Sequence, residues 1–241
     1  MGNNMFEEAG PIVKKEMVLF LLIDQSGSMD GSKIGAVNTA VRDVLPELRE
    51  VGGADASIKI APLLFSNGCE WMYPTPVPVE DFQWRQIEAD GLTAMGEAFT
   101  ELAQKMSRKA FLSAPSSSVA PAIFLLSDGE PNDDWQAGLA KLRENNWFKY
   151  AIKVAVAIGD DANVDVLAEF TGTPEAVITV HTPEALRKMI RFVSITSTQI
   201  GSKSQPTISG EPQSRQGEMT GAIQVFVNGN DGLDPNIKDG W

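Results

Sequence analysis

The stretch MVLFLLIDQSGSMDGS, residues 17–32, decides how the rest of the chain is read. An unbroken apolar run ends at Asp24, and serines follow at positions 26 and 28. A short run of this kind reads as a strand buried on both faces, the habit of parallel sheets covered by helices. Open sheets of that class place their ligands beyond the carboxyl ends of the strands. Asp24, Ser26 and Ser28 therefore stand where a site would be, although Asp, Ser and Gly also suit an ordinary turn or helix cap.

Working outward, SIKIAPLLF (57–65), AIFLLS (122–127), YAIKVAVAIG (150–159) and AVITV (176–180) have the length and composition of further strands. Helical spacing occupies the intervals: KIGAVNTAVRDVLPELREV, TAMGEAFTELAQKMSRKAF, DDWQAGLAKLRENN and NVDVLAEFTG. Alternating apolar strands and amphipathic helices predict an α/β fold, doubly wound, with a mostly parallel sheet and helices on both faces. CEWMYPTPVPVEDFQW follows the second strand so closely that it predicts one antiparallel edge strand joined as a hairpin. Pro46 is expected to bend the first helix near Arg42, and SAPSSSVAP (113–121) reads as a flexible loop.

The chain has 241 residues, 43% of them hydrophobic, enough for one large domain with an appendage. Its formal charge of −12 opposes nucleic acid binding, because phosphate backbones would be repelled. No apolar run reaches the roughly 20 residues that span a bilayer. The acidic opening MGNNMFEEAG lacks the features of a secretory signal, and Cys69 is the only cysteine, so the expected setting is cytoplasmic and bacterial.

A last helix, TPEALRKMIRFVSITSTQI, opens with Thr182 as cap and Pro183 in its first turn. Beyond it the composition changes. The expected organisation is an N-terminal arm over 1–13, one domain over 14–199, and a linker and flexible tail over 200–241. Within that tail GSKSQPTISGEPQSRQGEMT (201–220) reads as linker, and AIQVFV (222–227) reads as a strand able to join a sheet edge.

Two later segments carry oxygen-bearing side chains to the same end of the sheet. Thr93 lies in DGLTAMGEA just before a helix, and Asp128 follows the strand AIFLLS in LLSDGEPND. Two carboxylates and three hydroxyls, with no His or Cys, suit Mg²⁺ or Mn²⁺ rather than zinc. DQSGSM resembles the D-x-S-x-S motif of von Willebrand factor A domains, and Thr93 and Asp128 match the other two elements of that family's metal-ion-dependent adhesion site. The resemblance covers residues 14 to about 199. It implies that Ser26 and Ser28 coordinate the ion directly, Thr93 directly or through water, and Asp24 and Asp128 mainly through bound waters. A partner's Asp or Glu would then complete the shell. KIGAVNTAV, GLTAMGEAF and LLSDGEPNDDW further resemble the bacterial TerY-like proteins of tellurium-resistance and stress clusters, which implies an adaptor working with kinase, phosphatase or Ter-family proteins.

Other residues have plainer readings. His181, the only histidine, precedes a helix cap and reads as structural; Trp135 and Trp147 read as packing against the sheet. Met29, Met72 and Met95 are candidates for an apolar rim around the loops. An enzyme is the competing class. LLIDQS resembles the nucleophile motif of haloacid-dehalogenase-type phosphatases, with Asp24 as nucleophile, and IGDDANVD (158–165) resembles their late acidic motif. That chemistry needs a second Asp two residues on as general acid, and Ser26 stands there. GSMDGSK lacks Walker A spacing, and neither serine lies on a G-x-S-x-G elbow. The sequence therefore predicts a non-enzymatic, metal-dependent protein-interaction module.

Overall fold

A computed structural model of the protein describes residues 15–51, 56–112, 119–202 and 214–229. The strands are β1 (Lys15–Asp24), β2 (Ala56–Phe65), β3 (Cys69–Trp71), β4 (Val77–Pro78), β5 (Ala122–Ser127), β6 (Ile152–Ile158) and β7 (Val177–Val180). The helices are α1 (Ser32–Val51), α2 (Met95–Lys105), α3 (Trp135–Glu144), α4 (Asn146–Tyr150), α5 (Val164–Thr171), α6 (Pro183–Ser202) and α7 (Arg215–Asn228).

The strands form one sheet in the order β3-β2-β1-β5-β6-β7, with β4 also on β2. β1 pairs in parallel with both β2 and β5, and β6 and β7 continue the parallel set. The fold is therefore the expected doubly wound one. Its antiparallel edge is made of two short pieces rather than one strand: β3 pairs with Leu63–Phe65 and β4 with Lys59–Ile60. Two short edge pieces leave little exposed ladder for another chain to extend.

Alternation along the strands divides the core in two. Met17, Leu19, Leu21 and Ile23 of β1 face the layer of α1 and α6, while Val18, Phe20 and Leu22 face the layer of α2, α3 and α5. α1 answers with Val37, Val41, Val44 and Leu48, and α6 with Leu186, Met189, Ile190 and Val193, all buried at helical spacing. α1 continues through Pro46, which is exposed, so water can reach the carbonyl it leaves free. On the other face α2 and α3 approach closely at two glycines: a Cβ on Gly138 would stand 2.2 Å from the Gly96 carbonyl oxygen. This contact seats α2 against the loop that follows β5.

The C-terminal segment departs from the sequence reading. Residues 222–227, expected as a strand, lie inside α7, and the expected linker overlaps its first turns. Ser214 caps the helix by accepting from Gly217 N at 3.1 Å. Met219 and Ile223 are buried one helical turn apart, and Phe226 stacks on Phe192 of α6 with ring centroids 4.0 Å apart. Gln216 bonds to both backbone groups of Lys153, accepting from its N–H at 2.8 Å and donating to its carbonyl at 2.9 Å. β7 pairs with β6 only from Ala155 onward, so Gln216 fills the place of a missing strand neighbour. The expected N-terminal arm, the stretch 203–213, most of SAPSSSVAP and residues 230–241 lie outside the described residues.

Candidate functional site

The apolar run stops at Asp24 because the next residues turn away from the sheet into a single 3₁₀ turn, Gly27–Met29, anchored by the fully buried Met29. Asp24 has no exposed surface and is held on both oxygens: Oδ1 accepts from Ser26 N at 2.8 Å and Oδ2 from Ser127 Oγ at 2.6 Å. Burial pushes its carboxyl above the ordinary value; the bonds from Ser127 and Ser26 act against that push, and Asp128 adds to it. Ser26 Oγ lies 3.1 Å from Ser28 Oγ, and Ser28 Oγ donates to Asp128 Oδ1 at 2.7 Å. The second Asp128 oxygen takes a 2.6 Å ion pair from Lys33 Nζ.

Thr93 arrives from the loop before α2, which is laced to its neighbours by backbone bonds. Gly27 N donates to Gly91 O at 3.0 Å and Ala94 N to Ser66 O at 2.7 Å. From the other side Asn132 clamps Thr93, its Oδ1 accepting from Thr93 N at 2.8 Å and its own N–H donating to Thr93 O at 3.0 Å. Asp133 then caps α2 in place of a local residue, taking Gly96 N and Glu97 N at 2.9 Å each. Thr93 is 4% exposed, and of the five expected positions its hydroxyl alone has no hydrogen-bond partner among the described residues. It opens toward Gly129: a Cβ there would stand 3.8 Å from Thr93 Oγ1 and 3.4 Å from Ser28 Oγ. The missing side chain at 129 leaves room between the hydroxyls.

Asp24, Ser26, Ser28, Thr93 and Asp128 thus lie together at the carboxyl ends of β1 and β5, where the strand order reverses. Sequence reading did not find four residues that hold or neutralise this cluster: Lys33, Ser127, Asn132 and Asp133. A polar residue closing the apolar strand AIFLLS was the available signal for Ser127; nothing local marks the others. The methionine rim is corrected. Met29 and Met95 have no exposed surface and Met72 is 6% exposed, because all three face the core. The apolar group beside the cluster is Leu92, 59% exposed. His181 lies apart at the end of β7, its Nδ1 2.8 Å from Asp160 Oδ1, and Trp135 and Trp147 pack against the core as expected.

The fold is shared with solved structures. A von Willebrand factor type A protein from Catenulispora acidiphila superposes with a TM-score of 0.59 at 23% identity, over 76% of this chain and 43% of that one. The pilus adhesin SpaC from Lactobacillus rhamnosus GG gives 0.61 at 15%, over 78% and 31%. Proximal thread matrix protein 1 from the mussel byssus, in a form with a zinc-occupied MIDAS motif, gives 0.58 at 16%, over 76% and 48%. The chain therefore spans less than half the length of each of these proteins. No curated protein matches its sequence significantly. Residues 19–191, most of the chain and the whole span from β1 into α6, match the family model of the von Willebrand factor type A domain, and the chain belongs to that family.

Proposed function

We propose that the protein is a non-enzymatic interaction module whose cluster of Asp24, Ser26, Ser28, Thr93 and Asp128 holds Mg²⁺, or Mn²⁺, and through it an Asp or Glu of a protein partner. The observation that carries this reading is the Thr93 hydroxyl, without a hydrogen-bond partner among the described residues, which faces Ser28 across the gap at Gly129. A hydroxyl left open beside other oxygen donors is available to a hard cation. Among the described residues no three His, Cys, Asp or Glu side chains come together, and the proposed donor set accordingly includes the hydroxyls of Ser26, Ser28 and Thr93. The zinc-occupied MIDAS motif of the mussel protein lends support from a shared fold. When bound, the ion would supply an open position for an outside carboxylate; the chain's own residues fix both carboxylates and the two serine hydroxyls through the bonds from Ser26 N, Ser127, Ser28 and Lys33.

Against the phosphatase reading, Ser26 stands where a general acid is required, and Asp160 of the late acidic motif is beside His181. The resemblance of KIGAVNTAV, GLTAMGEAF and LLSDGEPNDDW to TerY-like proteins supports a place as adaptor in a bacterial stress or tellurium-resistance assembly, with kinase, phosphatase or Ter-family proteins as partners. The single cysteine fits a cytoplasmic setting; among the described residues no helix is long and apolar enough to cross a membrane.

The test is a melting curve with Mg²⁺, Mn²⁺ or EDTA. Saturation to 100 times Kd should stabilise the protein by about 2.7 kcal/mol, a rise of roughly 5 to 10 °C. Asp24→Ala and Asp128→Ala should abolish the rise while leaving the circular dichroism spectrum unchanged. Identical curves in metal and EDTA would refute the site, and hydrolysis of p-nitrophenyl phosphate that Asp24→Asn removes would restore the enzyme.

A further inference from the structure

Lys33 is the second residue of α1, and its ammonium reaches into the cluster rather than out to solvent. Its side chain is 16% exposed; the Asp128 side chain it meets at 2.6 Å has no exposed surface. The other Asp128 oxygen is taken by Ser28 Oγ. We propose that Lys33 is a resident counter-ion of the site, which neutralises Asp128 in the metal-free protein and whose charge a divalent cation must overcome to bind. The proposal rests on the metal-site reading above and adds to it a residue that sets how tightly the ion is held.

Two routes lead to the same sign. If Lys33 stays beside Asp128 when the ion enters, two positive charges share one carboxylate and repel strongly, even at the effective dielectric of a protein surface. If it swings out through its exposed edge, the protein loses an ion pair to a buried carboxylate. Either way the metal-bound state is disfavoured relative to a chain lacking this charge. In the metal-free state the order inverts, because without Lys33 the buried Asp128 keeps one hydroxyl donor and no cation. A purely structural ion pair predicts something else: losing it would disorder Asp128 and weaken both stability and metal binding. Formal charge adds a consequence for the partner. Asp24, Asp128 and a divalent ion sum to zero, and Lys33 leaves the loaded site with one positive charge, suited to an incoming carboxylate.

The experiment titrates Mn²⁺ into the full chain by calorimetry and melts the same samples in EDTA. Lys33→Met should bind Mn²⁺ about tenfold or more tighter than wild type and melt lower in EDTA. Lys33→Arg, which keeps the charge, should bind within about threefold of wild type. If Lys33→Met proves too unstable to purify, Lys33→Gln, which retains a donor to Asp128 without the charge, should show the same tightening. Unchanged or weaker Mn²⁺ binding in the charge-removing variants, with wild-type binding intact, would overturn the proposal and leave Lys33 a structural prop. Wild-type protein without Mn²⁺ binding that depends on Asp24 and Asp128 would instead sink the metal-site reading, and the counter-ion role with it.

Discussion

At the other end of the sheet from Asp24, Lys153 on β6 is a buried cation that forms no ion pair among the described residues. It is 8% exposed; its Nζ donates to the carbonyls of Phe148 at 3.2 Å and Ala151 at 3.1 Å and lies 5.0 Å over the Phe148 ring. Burial pulls its ammonium down from 10.5 to about 8. Between those values the unfolded chain binds more protons than the native one, so stability rises with pH. The penalty is complete below pH 8 and is relieved by pH 10.5. Denaturation at several pH values should give wild type a gain over that window on the order of 1 to 3 kcal/mol larger than that of Lys153→Met. Parallel pH profiles for the two proteins would show that Lys153 is solvated in solution. The comparison must be of slopes, because Lys153→Met also strands two carbonyls.

Most secondary elements are legible from local pattern because burial on both sheet faces forces continuous apolar strands, and one-sided burial forces helical spacing. Thr182 accepts from Ala185 N at 3.2 Å, as its position before α6 suggests. The exception, α7, shows where local pattern fails. AIQVFV has the β-branched and aromatic content of a strand, but it packs as a helix on a surface formed by α6 and the open flank of β6, where Gln216 meets the backbone groups of Lys153. Docking there buries Met219 and Ile223 from successive turns, and tertiary packing overrides propensity. Met219→Ala should therefore cost about 2 to 4 kcal/mol and lower the melting temperature by several degrees. A chain ended at residue 202 should melt lower still while keeping its metal response, since the cluster lies at the opposite end of the strands. Melting within a degree of wild type would mean that α7 does not dock in solution.

For the molecule as a whole, the charge of −12 surrounds a site proposed to take a cation and then an anion. A net negative field concentrates divalent ions, and salt screens it over about 10 Å at 0.1 M. Mn²⁺ affinity should accordingly fall several-fold between roughly 20 and 200 mM KCl, with a smaller slope for variants in which exposed Asp or Glu residues far from the cluster are neutralised. An affinity indifferent to salt would confine the electrostatics to the cluster itself. The sequence by itself determined the α/β class, the strands and helices of the core, and the five oxygen-bearing positions. Those follow from short-range requirements: periodic burial, and a polar stop at a strand end. Only the tertiary structure decided what surrounds them. Lys33 and Ser127 meet carboxylates 95 and 103 residues away, and Asn132 and Asp133 clamp a loop 39 and 37 residues earlier, contacts that exist only because β5 crosses to the far side of β1. α7 is settled in the same way: Met219, Ile223 and Phe226 have helical spacing, but AIQVFV equally suits a strand, and the surface that decides between the two is assembled from distant parts of the chain.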